Sequence, residues 1–294
     1  MFMKNKLTIH LLTLTATIAL FSLYGCIKLA LRSADSVVTN ITQTIFEECD
    51  PNLAELSIPS ELKILEGILK NDPENKKLLT SLCMGFTGYA MLFVEQEDPG
   101  RASNLYLRAK KYGLSALGDK GQVLGKKGLD RETIVGTLKS IDKSDADPFF
   151  WTTMCWNAWI NLNLDKPSAL SQIGIAEACL KRMLEIQPDY LYGTPYILMG
   201  TINAAKPKML GGDAVVAKDF FERSMELSKG KFLLAHYFFA KYYATRSQDK
   251  RLFLRLIKEA EKTPPEIAED VCLINAVMRQ RLLQLKENMD ELFF

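Results

Sequence analysis

A helix–turn–helix pattern recurs along this chain. Residues 65–74 read LEGILKNDPE and residues 180–189 read LKRMLEIQPD, so apolar residues, a proline and an acidic residue fall in register. A glycine follows each proline after twelve residues, at Gly85 and Gly200. Because proline cannot continue a helix, the pattern predicts pairs of helices joined by proline-marked turns.

Two weaker copies of the pattern lie nearer the C-terminus, with their turns at Gly230 and Pro264, 34 residues apart. That spacing is the period of tetratricopeptide repeats, whose helix pairs stack because none buries its apolar face alone. The sequence therefore predicts an all-α fold, a tetratricopeptide-like array of helix–turn–helix units. A generic helical bundle with prolines between its helices is the alternative.

The N-terminus has the pattern of an export signal. Lys4 and Lys6 precede residues 7–23, which contain no Asp, Glu, Lys or Arg, and Gly25 lies directly before Cys26. A small residue at the cleavage site followed by cysteine is typical of bacterial lipoproteins, so we predict a signal peptide over 1–25 and lipidation at Cys26. An uncleaved transmembrane anchor is the alternative, and a buried helix of the soluble body is a third interpretation.

The mature chain divides into two predicted parts. Residues 26–58 form a lipidated N-terminal helical segment, and residues 59–294 form the repeat domain, with a helix predicted to begin at Pro59. Residues 118–130 contain four glycines among charged residues and predict an exposed loop. A phosphate-binding loop is excluded there because the glycine–lysine spacing is wrong and no Ser or Thr follows the lysine.

Charge and cysteine content narrow the class of function. The chain has 37 basic and 35 acidic residues. The resulting net charge of +2 does not indicate a nucleic-acid-binding protein. Five cysteines besides Cys26 form no C-x-x-C pair, so zinc spacing is absent. We interpret them as buried thiols, and a disulfide of undetermined pairing is the alternative.

The sequence offers little material for catalysis. His236 is the one histidine after the signal segment and lies among apolar residues, which indicates a buried, satisfied histidine. Glu95 and other acidic residues at helix ends are expected to be solvated carboxylates. We therefore predict no catalytic residues, no metal site and no cofactor.

All three tryptophans of the chain, Trp151, Trp156 and Trp159, lie within residues 149–159. Aromatic anchors dominate many binding sites, so these residues are candidates for contact with a ligand or partner, with core packing between repeats as the alternative. Asn163 follows closely as a polar contact for a ligand. Trp156 is assigned to the core and Trp159 to the pocket.

These motifs in their order resemble the T component of TRAP transporter systems, the TatT family. The segments that carry the resemblance are the lipobox, the proline-marked helix pair, residues 88–90, residues 101–108, the tryptophan helix and residues 209–213. Three further candidates for ligand or partner contact lie in them: Tyr89, Tyr106 and Arg108.

The resemblance implies a helical lipoprotein that associates with the periplasmic substrate-binding P component of the transporter. It also implies a homotrimer with hydrophobic pockets and a role in passing an apolar or organic-acid ligand. We therefore expect a lipid-anchored protein of the cell membrane that faces the periplasm. A stand-alone carrier of a hydrophobic molecule is the second hypothesis, and an enzyme is the third.

Replacement of Cys26 by alanine should abolish lipidation, because the cysteine thiol is the acyl acceptor of this class. Labelled palmitate should enter the wild-type protein in cells, while Cys26→Ala should stay unlabelled. Equal labelling of both proteins would contradict the lipoprotein hypothesis.

Overall fold

The computed structural model describes residues 35–126 and 128–293 of the chain. Within those ranges the regular structure is helical and contains no strand, which confirms the predicted all-α class. The predicted signal segment and Cys26 lie outside the described residues.

Helices α1 to α15 follow one another with short connections. In chain order they are α1 Asp35–Glu47, α2 Pro51–Leu69, α3 Lys76–Tyr89, α4 Pro99–Ala116, α5 Gly118–Leu124, α6 Arg131–Ser140, α7 Ala146–Asn161, α8 Pro167–Leu170, α9 Ile173–Ile186, α10 Tyr190–Ala205, α11 Ala214–Ser228, α12 Leu233–Phe238, α13 Lys250–Lys262, α14 Cys272–Glu287 and α15 Met289–Leu292. Two π-helical turns, Ala90–Val94 and Phe239–Ala244, extend α3 and α12.

The predicted helix pairs are present. Helices α2 and α3, α9 and α10, α11 and α12, and α13 and α14 are consecutive, and the members of each pair contact one another. The two glycines of the pattern permit close packing, since a Cβ at Gly85 would press on Leu62 and one at Gly200 on Phe221. Consecutive helices thus share their apolar faces, as a repeat array requires.

Helix α2 begins eight residues before the predicted start at Pro59. Asp50 caps it by accepting a hydrogen bond from the Asn52 amide at 2.9 Å, and Pro51 occupies the first turn, where its missing N–H costs nothing. Pro59 then lies inside a continuous helix. The predicted division between residues 58 and 59 therefore falls within α2.

The glycine-rich segment 118–130 is partly helical rather than a loop. Helix α5 folds back onto α4, and Leu124 is buried. Gly121 passes so close to the Leu114 carbonyl that a side chain at that position would clash with it. The glycines therefore permit a tight helical corner.

The array closes on itself instead of ending as an open stack. Helix α14 packs against α1 and α2, and a disulfide joins Cys49 to Cys272 across 223 residues, with their Cα atoms 5.1 Å apart. The interpretation of all five cysteines as free thiols is therefore wrong for this pair. It is confirmed for Cys83, Cys155 and Cys179, which are free and buried.

In the described part of the chain, one helical stretch, Lys76–Val94, is long and apolar enough to cross a membrane. Two thirds of its apolar window (67%) is buried inside the protein. This is the pattern of a core helix.

The backbone is strained where α10 begins. Leu191, Tyr192 and Gly193 have φ angles of 44°, 55° and 76°, so three consecutive residues adopt the left-handed conformation. For the two non-glycine residues this costs about 1–3 kcal/mol each, and strain of that kind is found at ligand sites and switch regions. Ser224 Oγ donates to the Tyr192 carbonyl at 3.3 Å and helps to hold the turn.

Removal of the disulfide should destabilise the protein, because the covalent link restricts the unfolded chain. We expect Cys49→Ser/Cys272→Ser to lower the free energy of unfolding in urea by about 2–5 kcal/mol. Dithiothreitol should reproduce this loss in the wild type and have no further effect on the double variant. An unchanged unfolding midpoint of the wild type in dithiothreitol would contradict the pairing.

Candidate functional site

A cavity of about 370 Å³ is lined by residues that lie between Met91 and Arg281 in the sequence, and we call it the central cavity. Helices α4, α7, α9, α10 and α14 and both π-helical turns contribute to its wall. Most of the lining is aliphatic or aromatic, including Met91, Met154, Ile173, Leu198 and Phe238. A largely apolar concavity with a few polar groups is the usual form of a small-molecule site.

The two π-helical turns are equivalent features of related helices. Glu95 N–H donates to the Ala90 carbonyl at 2.9 Å, and Thr245 N–H donates to the Ala240 carbonyl at 3.2 Å. Helices α3 and α12, which end in these turns, occupy corresponding places in the predicted repeat. Turns of this kind are frequent at functional sites, and here each brings a charged residue to the cavity wall.

Lys241 is the charged residue of the second turn. Its ammonium group donates to the Tyr237 hydroxyl at 3.1 Å and lies 5.2 Å from the centre of the Tyr242 ring. Burial by itself lowers the pKa of Lys241, but Tyr242, Tyr237 and Glu95 outweigh it and raise the pKa above the ordinary value. Lys241 is therefore charged at neutral pH.

Glu95 is the charged residue that follows the first turn. It accepts a hydrogen bond from the hydroxyl of the fully buried Tyr106. Burial, with the Glu95 carboxylate, raises the pKa of Tyr106 well above its ordinary value, so the phenol stays protonated. The expectation that Glu95 is simply a solvated carboxylate at a helix end is wrong, because the π turn directs it into the cavity.

Arg281 connects the last long helix to the first π turn. Its Nη2 donates to the carbonyls of Met91 at 2.8 Å and Leu92 at 3.0 Å, and the side chain is buried. A guanidinium has five donor hydrogens, and two carbonyls accept from one nitrogen here. Arg281 thus secures the closure of the array and adds a positive charge to the cavity wall.

An ion pair between Lys206 and Glu177 forms another part of the lining. Hydrogen bonds from Lys206 and Lys181 outweigh burial and lower the pKa of Glu177. This pair is neutral overall, so the charge balance of the cavity depends on Glu95, Lys241 and Arg281.

The predicted tryptophans do not converge on one site. All three are buried, and Trp156 and Trp159 share a cluster with Lys110, whose Nζ lies 3.5 Å from the Trp156 ring centre and 5.9 Å from that of Trp159. Gln172 Oε1 accepts from both Trp156 Nε1 and Lys110 Nζ at 2.9 Å. Trp151 instead borders a separate cavity.

The other four candidates also lie apart from one another. Tyr106 lines the central cavity. Asn163 is buried beside Trp159, whose carbonyl accepts from its Nδ2 at 2.7 Å. Tyr89 is buried, and Arg108 pairs with Glu66 near the surface. Their roles in binding stay predictions.

Glu95, Lys241 and Arg281 were not identified from the sequence as residues of a common site. Ala90 and Ala240 each lie in an aromatic-rich helix end, followed by a capping aspartate at Asp98 and Asp249. This parallel is visible in the sequence and marks both π turns. Arg281 has no such local signal.

His236 is buried as predicted. Its Nδ1 lies 3.4 Å from the Phe232 carbonyl and its Nε2 3.6 Å from Glu259 Oε2. Over residues 35–126 and 128–293, no group of three or more His, Cys, Asp or Glu side chains is arranged to hold a metal ion.

The fold and cavity together define a closed helical-repeat protein with an internal apolar site. The family model of the TRAP transporter T-component matches residues 47–293. The chain therefore belongs to the TRAP transporter T-component family, a family of transporter-associated proteins and not a known enzyme family.

A relative in Treponema pallidum (strain Nichols), described as an uncharacterized protein, is 22% identical over 275 residues. The match covers 86% of this chain and 84% of the relative. The similarity thus extends over nearly the full length of both proteins.

The stability of the protein should rise with pH through the titration of Lys110. Burial lowers the pKa of Lys110 to about 8, whereas an unfolded lysine titrates near 10.4. Between these values the unfolded state binds one more proton, so this residue contributes a rise of up to about 1.4 kcal/mol per pH unit. Below pH 8 Lys110 is charged in both the folded and the unfolded state, so burial of its charge lowers the free energy of unfolding by the full amount.

The measurement is the free energy of urea unfolding at pH 7.5, 9 and 10. Lys110→Met should lack the increment that the wild type gains, while Lys111→Met, an exposed neighbour, should retain it. Parallel pH curves for the wild type and Lys110→Met would show that Lys110 is not the titrating group.

Proposed function

We propose that the protein is a lipid-anchored, periplasm-facing lipoprotein that associates with the substrate-binding P component of a TRAP transporter and holds an apolar or organic-acid ligand. The observation that carries the ligand part is the central cavity, whose largely apolar wall includes three cationic side chains, Lys206, Lys241 and Arg281. Family membership supports the association with a TRAP system.

The charge balance of the cavity supports an acidic ligand. Lys241 and Arg281 are cationic and Glu95 is anionic, so the lining has one positive charge in excess once the Lys206–Glu177 pair is set aside. The aliphatic wall accommodates the apolar part of a ligand, and a carboxylate near Lys241 replaces the hydration that the ammonium loses on burial.

The predicted homotrimer rests on the family resemblance. A stand-alone carrier is the second candidate function, since a largely apolar cavity with a few polar groups is the usual form of a small-molecule site. The two functions differ in whether a P component is needed for ligand transfer.

Filling the central cavity with a larger side chain should weaken ligand binding. Ala158 lines the cavity, and Ala158→Phe places a ring in it. We expect at least a tenfold weaker affinity for 11-(dansylamino)undecanoic acid, measured by dansyl fluorescence. Lys241→Met should lower the affinity for the acid by a similar factor and leave the affinity for its methyl ester nearly unchanged.

The matched control is Ala214→Phe, the same substitution at an exposed position on α11 outside the cavity. Pull-down with a purified P component tests docking separately, and Ala158→Phe should dock as the wild type does. Equal dansyl affinity in Ala158→Phe and wild type would rule out the central cavity as the site.

A further inference from the structure

A second cavity, of about 580 Å³, lies apart from the central cavity and plays no part in the proposed function. Its walls include the rings of Phe46 on α1, Trp151 on α7, and Tyr190 and Tyr192 at the start of α10. We call it the aromatic cavity. The ring centres of Phe46 and Trp151 are 6.1 Å apart, so these two side chains form one continuous aromatic wall.

The position of the Tyr192 ring is fixed from several sides. Its hydroxyl donates to Asp270 Oδ1 at 2.7 Å, and its ring stacks on Phe232 with a centroid distance of 5.3 Å. The left-handed turn at residues 191–193 determines the direction in which this side chain leaves the backbone. The aromatic surface is therefore organised before a ligand arrives.

The disulfide holds two sides of this cavity together. Phe46 lies three residues before Cys49, and Asp270 lies two residues before Cys272. The covalent bond thus limits how far this aromatic wall residue and this carboxylate of the cavity can separate.

The charged groups at the cavity are acidic. Asp189 and Asp270 line it and are exposed to solvent, and the described lining residues include no Lys, Arg or His. Asp147 lies beside Tyr190 as a third carboxylate. Burial, and then this aspartate, raises the pKa of the Tyr190 hydroxyl well above its ordinary value. The negative charge therefore has no cationic partner within the lining.

This combination selects the charge of an occupant. The electron-rich faces of aromatic rings attract organic cations, and nearby carboxylates add a Coulomb attraction that a neutral molecule does not gain. An anion would be repelled by Asp189 and Asp270. A metal ion does not fit, since the described residues offer no cluster of three ligating side chains here.

We propose that the aromatic cavity is a binding site for a small organic cation, a protonated amine or quaternary ammonium compound, held against Phe46, Trp151 and Tyr192 with Asp189 and Asp270 as counter-charges. It is distinct from the site for an apolar or acidic ligand. The protein therefore carries two cavities of opposite charge preference.

Binding is tested by isothermal titration calorimetry of the mature, disulfide-bonded protein with tetramethylammonium, choline and benzyltrimethylammonium. The neutral control is 3,3-dimethylbutan-1-ol, which has the shape of choline without its charge. We expect choline to bind at least tenfold more tightly than this alcohol. Binding of none of the three cations, or equal binding of choline and the alcohol, would overturn the proposal.

Variants locate the site. Asp189→Asn/Asp270→Asn should lower the affinity for the cations at least tenfold. The control Asp119→Asn/Asp219→Asn removes the same two negative charges at exposed positions outside both cavities, and it should leave the affinity unchanged. Ala158→Phe should leave cation binding unchanged, so failure of the central-cavity proposal is distinguishable from failure of this one. The proposal would also be overturned if Asp189→Asn/Asp270→Asn bound the cations as tightly as the wild type.

Discussion

Closure of the helical array is the constraint on which the rest of the structure depends. A helical repeat array has two ends, and each end exposes an apolar face unless something covers it. Here α14 returns to α1 and α2, where the Cys49–Cys272 disulfide and the buried Arg281 guanidinium secure it. The ends thus cover one another, and both cavities lie in the space that this return encloses or borders.

The closure also brings the two π-helical turns to a common cavity. In an array that stayed open, Glu95 and Lys241 would belong to repeats far apart along the stack. In the closed array they line the same wall, together with Arg281. The repeat pattern therefore supplies two equivalent π turns, and the closed fold brings one charged residue from each turn, Glu95 and Lys241, to the same cavity.

The tryptophan helix shows why composition alone does not identify a site. Helix α7 is apolar around most of its circumference, and such a helix lies within a core because it has no face suited to water. Its tryptophans therefore contact different neighbours in different directions. Trp151 reaches the aromatic cavity, whereas Trp156 and Trp159 surround Lys110. Three large aromatic residues within eleven positions therefore predict a buried helix. They indicate a ligand contact only where one of them borders a cavity.

The sequence by itself determined most of the helices and the proline-marked turns between them. These depend on residues within one or two helical turns of one another, such as Pro73, Pro188 and the capping aspartates, and local rules suffice for them. The tertiary structure alone decided which cysteines pair, where the charges of the cavity meet and how far the array closes. Arg281 is 190 residues from Met91, whose carbonyl it binds, and no local pattern encodes a contact across that separation. It forms only when the apolar faces of all the intervening helices have found their neighbours.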